Sequence, residues 1–216
     1  MTPLPSPEIW HTGDFYLLCE WRRLTRIAEV GVDRAEFAAT FLRRIVNCEL
    51  YLGIDPYLPY SEMKWPRDSD LHVASIRFER HANVAKLVPT TSAEFLAGLA
   101  TSSDRYSRPY DFVYIDANHE RQAVLEDMEL WWSHVSDRGI LAGHDWSMST
   151  GDHPGVKEAV MEFAEPRGLQ VYYTTGDDPA SWYIYKSGMP GPDWVRNPPL
   201  PAIFTSTHET ADPGTA

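Results

Sequence analysis

Short apolar runs alternate along this chain with longer amphipathic ones, and that alternation limits the folds open to it more than any other feature. An apolar run of about five residues is too short for a buried helix and suits a strand covered on both faces. The amphipathic stretch that follows can cover one of those faces and return the chain to the same end of the sheet. The pattern therefore predicts an α/β protein built from βα units around a parallel sheet. Strands are expected at 26–30, 50–54, 84–88, 112–115 and 140–142, and helices at 35–44, 70–81, 93–99, 121–132 and 156–165.

After the last helix the pattern changes. Two β-rich runs, 169–174 and 181–185, are separated only by Thr-Gly-Asp-Asp-Pro-Ala, which suits an antiparallel hairpin and is too short for a parallel crossover. Residues 188–216 are rich in Pro, Gly and small polar residues without periodicity, and read as an unstructured tail. Trp194 and Phe204 are its only obvious anchors, either onto the body or onto a second copy in a homo-oligomer. The expected organisation is one domain over 1–187, with a helical or irregular lead-in over 1–24, followed by that tail.

Composition removes several classes of function. The 216 residues carry 31 Asp and Glu against 19 Lys and Arg, a net charge of −12, with no basic run to collect phosphates or an acidic membrane. Neither nucleic acid nor membrane is an expected partner. The segment Met1-Thr-Pro-Leu-Pro-Ser-Pro has no basic region ahead of an apolar run, and two cysteines, Cys19 and Cys48, are too sparse for a disulfide framework or zinc cluster. A cytoplasmic location is expected.

In an open parallel sheet, ligands bind outside the carboxyl ends of the strands. After the first main strand, Glu29-Val-Gly31 enters a turn whose glycine would let a ligand approach the backbone, and whose amides could hold a carboxylate. The second strand ends in Asp55, placed to accept two hydrogen bonds from a ribose diol or to cap a turn. Ser92 follows the third as a natural helix N-cap that could also meet an adenine edge. The fourth and fifth strands end Ile115-Asp116-Ala-Asn-His119 and Leu141-Ala-Gly-His144-Asp145, bringing carboxylates and imidazoles to one edge. Such a mixed set suits Mg²⁺, Mn²⁺ or Fe²⁺; alternatively each Asp caps a helix and each His fills a polar pocket.

These residues resemble the class I S-adenosylmethionine-dependent methyltransferases, and especially small-molecule O-methyltransferases with motifs of the type IDxxH followed by GGhhxxHD. The similarity covers roughly 25–186, most specifically 110–155. It implies a Rossmann-like fold with a seven-stranded, mostly parallel sheet, a C-terminal antiparallel hairpin and helices on both faces. It also implies that Glu29 and Gly31 line the methionine end of the cofactor, that Asp55 takes the ribose hydroxyls, that Ser92 lies beside the adenine, and that Asp116 borders the cofactor. The family's E-x-G-x-x-x-G motif reads here as Glu29, Gly31 and Ala35, so an alanine replaces the second glycine.

By position, Asp116, His144 and Asp145 correspond to the metal ligands of the metal-dependent branch, with His144 and Asp145 in place of an acid and amide pair. His119 falls where that branch has a catalytic lysine. The expected reaction is methyl transfer to a hydroxyl of a small molecule. Its acceptor is activated either by a divalent ion on Asp116, His144 and Asp145 with His119 as base, or by His119 or His144 alone. His119, with an ordinary pKa near about 6.5, would take the proton at neutral pH. Segments 56–70, with Tyr57, Tyr60 and Trp65, and 146–154, with Asp152 and His153, read as substrate loops, and Trp131 and Trp132 as packing. A metal-dependent hydrolase and a non-catalytic scaffold are the competing expectations.

Overall fold

The computed structural model describes residues 2–60, 62–99, 105–146 and 155–187. The strands are β1 (Leu4–Pro5), β2 (Arg26–Val30), β3 (Leu50–Ile54), β4 (Ala85–Val88), β5 (Tyr110–Ile115), β6 (Val135–Gly143), β7 (Val171–Tyr173) and β8 (Trp182–Tyr185). They form one sheet in the order β1-β7-β8-β6-β5-β2-β3-β4. Neighbours from β4 through β6 are parallel, while β8 runs antiparallel to both β6 and β7. This is a Rossmann-like sheet with the expected C-terminal hairpin. The seven expected strands are present, and an eighth comes from the lead-in: Leu4 and Pro5 pair in parallel with Tyr172 and Tyr173 at the edge.

Among the described residues six α-helices complete the layers: α1 (Phe15–Arg22), α2 (Glu36–Leu42), α3 (Asp68–Glu79), α4 (Ser92–Leu99), α5 (Arg121–Trp132) and α6 (Gly155–Ala164). Every residue of β2 and β3 is buried, as strands covered on both sides require, including the charged Arg26 and Glu29 of β2. Side chains alternate between the two faces. On β5, Phe112 and Tyr114 join a cluster with Phe15, Leu18, Phe41 and Phe78 from α1, α2 and α3. Val113 and Ile115 join the opposite cluster, with Leu96, Met128, Trp131 and Phe163 from α4, α5 and α6, and Tyr110 joins them across the register shift between Tyr110 and Phe112. Each such large apolar side chain contributes about 1.5–3 kcal/mol on burial, so truncating Phe112 would open the first cluster at its centre.

β2 is hydrogen-bonded to β3 on one side and β5 on the other, so the winding direction reverses between β2 and β5. The crevice outside their carboxyl ends is where such a sheet receives ligands. Residues 188–216, including Trp194 and Phe204, and the loop positions Asp152 and His153 lie outside the described residues.

Candidate active site

The turn after β2 is shaped by a close backbone approach. Gly31 has φ +85°, and a Cβ built on it would lie 2.1 Å from the carbonyl oxygen of Asp116. Any side chain would therefore collide with the tip of β5, so the contact between two strand tips by itself requires a glycine here. Asp33 and Ala35 also have positive φ, 46° and 61°. Ala35, standing where the motif has its second glycine, keeps the left-handed conformation at a cost of about 1–2 kcal/mol.

The amides of this turn do hold a carboxylate, and it belongs to the protein. Val32 and Asp33 N–H donate to Asp55 Oδ2 at 3.1 and 2.9 Å, and Tyr57 N–H donates to Oδ1 at 2.8 Å. Arg67 adds Nη1 to Oδ1 at 3.0 Å and Nη2 to Oδ2 at 3.3 Å. Asp55 is 3% exposed, and both of its oxygens are engaged from within the chain.

A cavity of about 480 Å³ opens above these strand tips. Glu29, Gly31 and Asp55 line it together with Thr90, Thr91, Ser92, Asp116 and His119. Glu29 is 2% exposed and accepts a hydrogen bond from the Tyr51 hydroxyl at 2.8 Å. Burial pushes its carboxyl well above the usual range, only partly offset by that hydrogen bond. Ser92 is not the cap of α4. Thr91 takes that place, its Oγ1 accepting Glu94 N–H at 3.2 Å while Glu94 Oε2 accepts Thr91 N–H at 3.3 Å, a capping box. Ser92 is thereby left to accept the Trp131 indole N–H at 3.0 Å. Trp131 is fully buried, and Trp132 packs edge-on against Phe163, so both are packing residues as expected.

At the tips of β5 and β6 the four expected polar residues converge. His119 Nε2 lies 3.0 Å from Asp145 Oδ2 and 3.7 Å from Asp116 Oδ1, and His144 Nδ1 lies 3.3 Å from Asp145 Oδ2. Donor atoms of Asp116, His144 and Asp145 all lie within 4.8 Å of one another. Asp145 itself adopts a left-handed φ of 57°, a conformation Asp tolerates better than most residues.

The electrostatics corrects one expectation. Burial disfavours the charge on His119, but hydrogen bonds to Asp116 and Asp145 and the charges of Asp145 and Glu62 push its pKa up to about 10. His119 therefore rests as an imidazolium at neutral pH rather than titrating near its ordinary value. His144 is raised too: its burial is outweighed by the Asp145 hydrogen bond and the charge of Asp116. Burial would raise Asp145, yet the two imidazoles hold it well below the usual carboxylate range.

A family model described as a methyltransferase domain matches residues 28–146, which includes every residue placed so far at the strand tips. The chain belongs to the methyltransferase domain family. Solved structures agree on the fold. The O-methyltransferase from Bacillus cereus in complex with SAH aligns with a TM-score of 0.59 at 14% identity, over 85% of this chain and 84% of that one. TomG, an O-methyltransferase from Streptomyces achromogenes in complex with SAM, gives 0.60 at 17% identity, over 82% and 79%. The N-methyltransferase NodS from Bradyrhizobium japonicum gives 0.52 at 12%, over 80% and 91%. No curated protein matches the sequence.

Three further residues meet this cluster or line the cavity and were not singled out by sequence. Glu62 Oε2 lies 2.9 Å from His119 Nδ1, so the imidazole is held at both nitrogens. Arg67, 4% exposed, joins Asp55 to Asp33, whose Oδ1 it meets at 2.8 Å. Asp127, on α5, lines the cavity and hydrogen-bonds Ser92. The first two close the loop after β3, in which Pro56, Leu58, Pro59, Tyr60 and Met63 also line the cavity. Tyr57 is buried under Arg67, 5.2 Å from guanidinium carbon to ring centre, whereas Trp65 is exposed. Their spacing carries no periodic signal, because each is recruited by a partner distant in sequence.

Proposed function

We propose that this methyltransferase transfers a methyl group from S-adenosylmethionine to a hydroxyl of a small molecule. The observation that carries the reading is that Asp116 and His119 line the same cavity as Glu29 and Gly31 and also meet Asp145, so one continuous space joins a nucleoside-sized pocket to an acid and imidazole cluster. The bound SAH and SAM in the structures from Bacillus cereus and Streptomyces achromogenes support the cofactor. S-adenosylmethionine brings a methyl group on a sulfonium, so the protein's work is alignment and proton removal.

Within this reading Glu29 lies at the methionine end, Gly31 keeps the strand tips in contact, and Asp55 orders the wall beside the ribose. Ser92 stands at the adenine end. Two carboxylates and an imidazole within 4.8 Å of one another fit a divalent ion such as Mg²⁺, Mn²⁺ or Fe²⁺, held by Asp116, His144 and Asp145. Such an ion supplies Lewis acidity toward an acceptor oxygen when bound. His119 is the proton acceptor: Glu62 fixes its Nδ1, and Nε2 faces the acids that stabilise the imidazolium product. It becomes available as a base once another positive charge stands among those acids and displaces its own proton.

Residues 1–187 are read as one domain, and the two free cysteines fit a reducing cytoplasm. Among the described residues no helix is long and apolar enough to cross a membrane. Calorimetry with S-adenosylhomocysteine, followed by radiolabelled methyl transfer across phenols, sugars and natural-product alcohols, tests the proposal. Binding with label moved to an oxygen is the expected result; no binding, or label found only on nitrogen, overturns it.

A further inference from the structure

Asp127 is an acid in a place that offers it little. It sits in the middle of α5, half-buried on the cavity wall, and the other charged residue acting on it is Glu126, of like sign. Its partner is the hydroxyl of Ser92, and that hydroxyl is fixed from the other side by the indole of Trp131, one helical turn beyond Asp127. Trp131 donates to Ser92, so Ser92 must give its own proton to Asp127. A carboxylate has about four acceptor sites, and one hydroxyl satisfies one of them. Burial raises the acid to about 6, a further sign that the protein alone compensates this charge poorly.

The sheet order says which end of a bound nucleoside Asp127 meets. The strand tips run from Ser92 after β4, through Asp55 after β3 and Gly31 after β2, to Asp116 after β5. The reactive sulfonium must lie by Asp116 and His119, where the acceptor groups are. Three strand spacings, about 14 Å, separate that end from β4, which is room for the rest of the nucleoside. The base then reaches Ser92 and Asp127.

We propose that Asp127 is a specificity-determining residue for the cofactor, its carboxylate accepting a hydrogen bond from the exocyclic amine of the adenine. This rests on the S-adenosylmethionine reading and assigns the base-reading group within it. The consequence is selection for a 6-amino purine over a 6-oxo purine, because the oxo group would set an acceptor against an acceptor in a half-buried site.

Equilibrium binding of S-adenosylhomocysteine and of its 6-oxo analogue, S-inosylhomocysteine, to wild type, Asp127→Asn and Asp127→Leu tests this, with thermal melts to confirm folding. Wild type should prefer the adenosine compound by about tenfold or more. Asp127→Leu should bring the ratio close to one, and Asp127→Asn, whose amide can turn to donate or accept, should narrow it to about threefold. A wild-type ratio near one, or an Asp127→Leu ratio equal to a large wild-type ratio, overturns the assignment and leaves the cofactor reading standing. Failure of wild type to bind either compound removes both.

Discussion

Arg67 and Asp55 form a buried two-point ion pair, Nη1 to Oδ1 at 3.0 Å and Nη2 to Oδ2 at 3.3 Å, that pins the far end of the loop after β3 to the tip of that strand. The same guanidinium reaches Asp33 in the turn after β2. One cation thus joins the cavity's two nucleoside-side loops. Replacing Arg67 with Met leaves Asp55 charged and buried with only backbone donors, at a cost of about 3 kcal/mol. Urea denaturation should show that loss, and Arg67→Met combined with Asp55→Asn should recover part of it because the two residues share one network. Additive losses would mean that the pair is not coupled.

His119 stands between Glu62 and Asp145, and the two contacts predict different effects. His119→Ala should lower kcat by about 10²–10⁴-fold while S-adenosylhomocysteine affinity stays within about threefold. Glu62→Gln removes only the charge that orients Nδ1 and should lower kcat by about tenfold. Steady-state kinetics beside calorimetry separates the two. An unchanged kcat in His119→Ala would remove it from the chemistry.

An ion held by Asp116, His144 and Asp145 would stabilise the folded chain by mass action. At Mn²⁺ about 100 times its dissociation constant the gain is about 2.7 kcal/mol, visible as a rise in melting temperature. Asp145→Asn should abolish the rise. A wild-type melt indifferent to Mn²⁺ and Mg²⁺ would remove the ion from this reading.

Asp127 links stability to pH. Burial raises its carboxyl from 3.8 to about 6. Because the folded value is the higher one, the stability associated with the protonated group is complete below about pH 4 and lost as pH rises through about 6. Asp127→Asn carries no such charge. Its urea midpoint should exceed that of wild type at about pH 7.5, by about 1–2 kcal/mol in free energy, and the two should converge near pH 4. A gap independent of pH would show that ionisation of Asp127 is not its cause.

Local pattern and tertiary contact divide the legible from the illegible. α5 covers Arg121–Trp132, the residues expected from periodicity, and β2 and β3 likewise match. Amphipathic spacing and apolar runs are properties of neighbours in sequence, so they survive without knowledge of the fold. β6 is longer than expected, because 136–139 is polar and only the pairing of Val135 with Tyr110 of β5 draws that stretch into the strand. The Leu4–Pro5 strand was illegible for a similar reason: its two residues are strand only because β7 leaves an edge open.

The same division runs through the site. Asp116, His144 and Asp145 could be grouped from sequence because adjacent parallel strands deliver their carboxyl-terminal residues to one edge. Gly31 and Asp55 could be named, but not what they do. That Gly31 is required by the backbone of Asp116, and that the turn's amides bind Asp55 of the same chain, follows from contacts across 85 and 23 positions of sequence. Sequence by itself determined the βα order, the strand tips and the chemistry they carry, since these depend on short-range periodicity and residue type. Tertiary structure alone decided how those groups are charged and paired: Glu62 and Asp145 on His119, Arg67 on Asp55, Asp127 on Ser92. A side chain's protonation and partners are set by burial and by whichever charges the fold brings within a few ångströms, and no spacing along the chain encodes that distance.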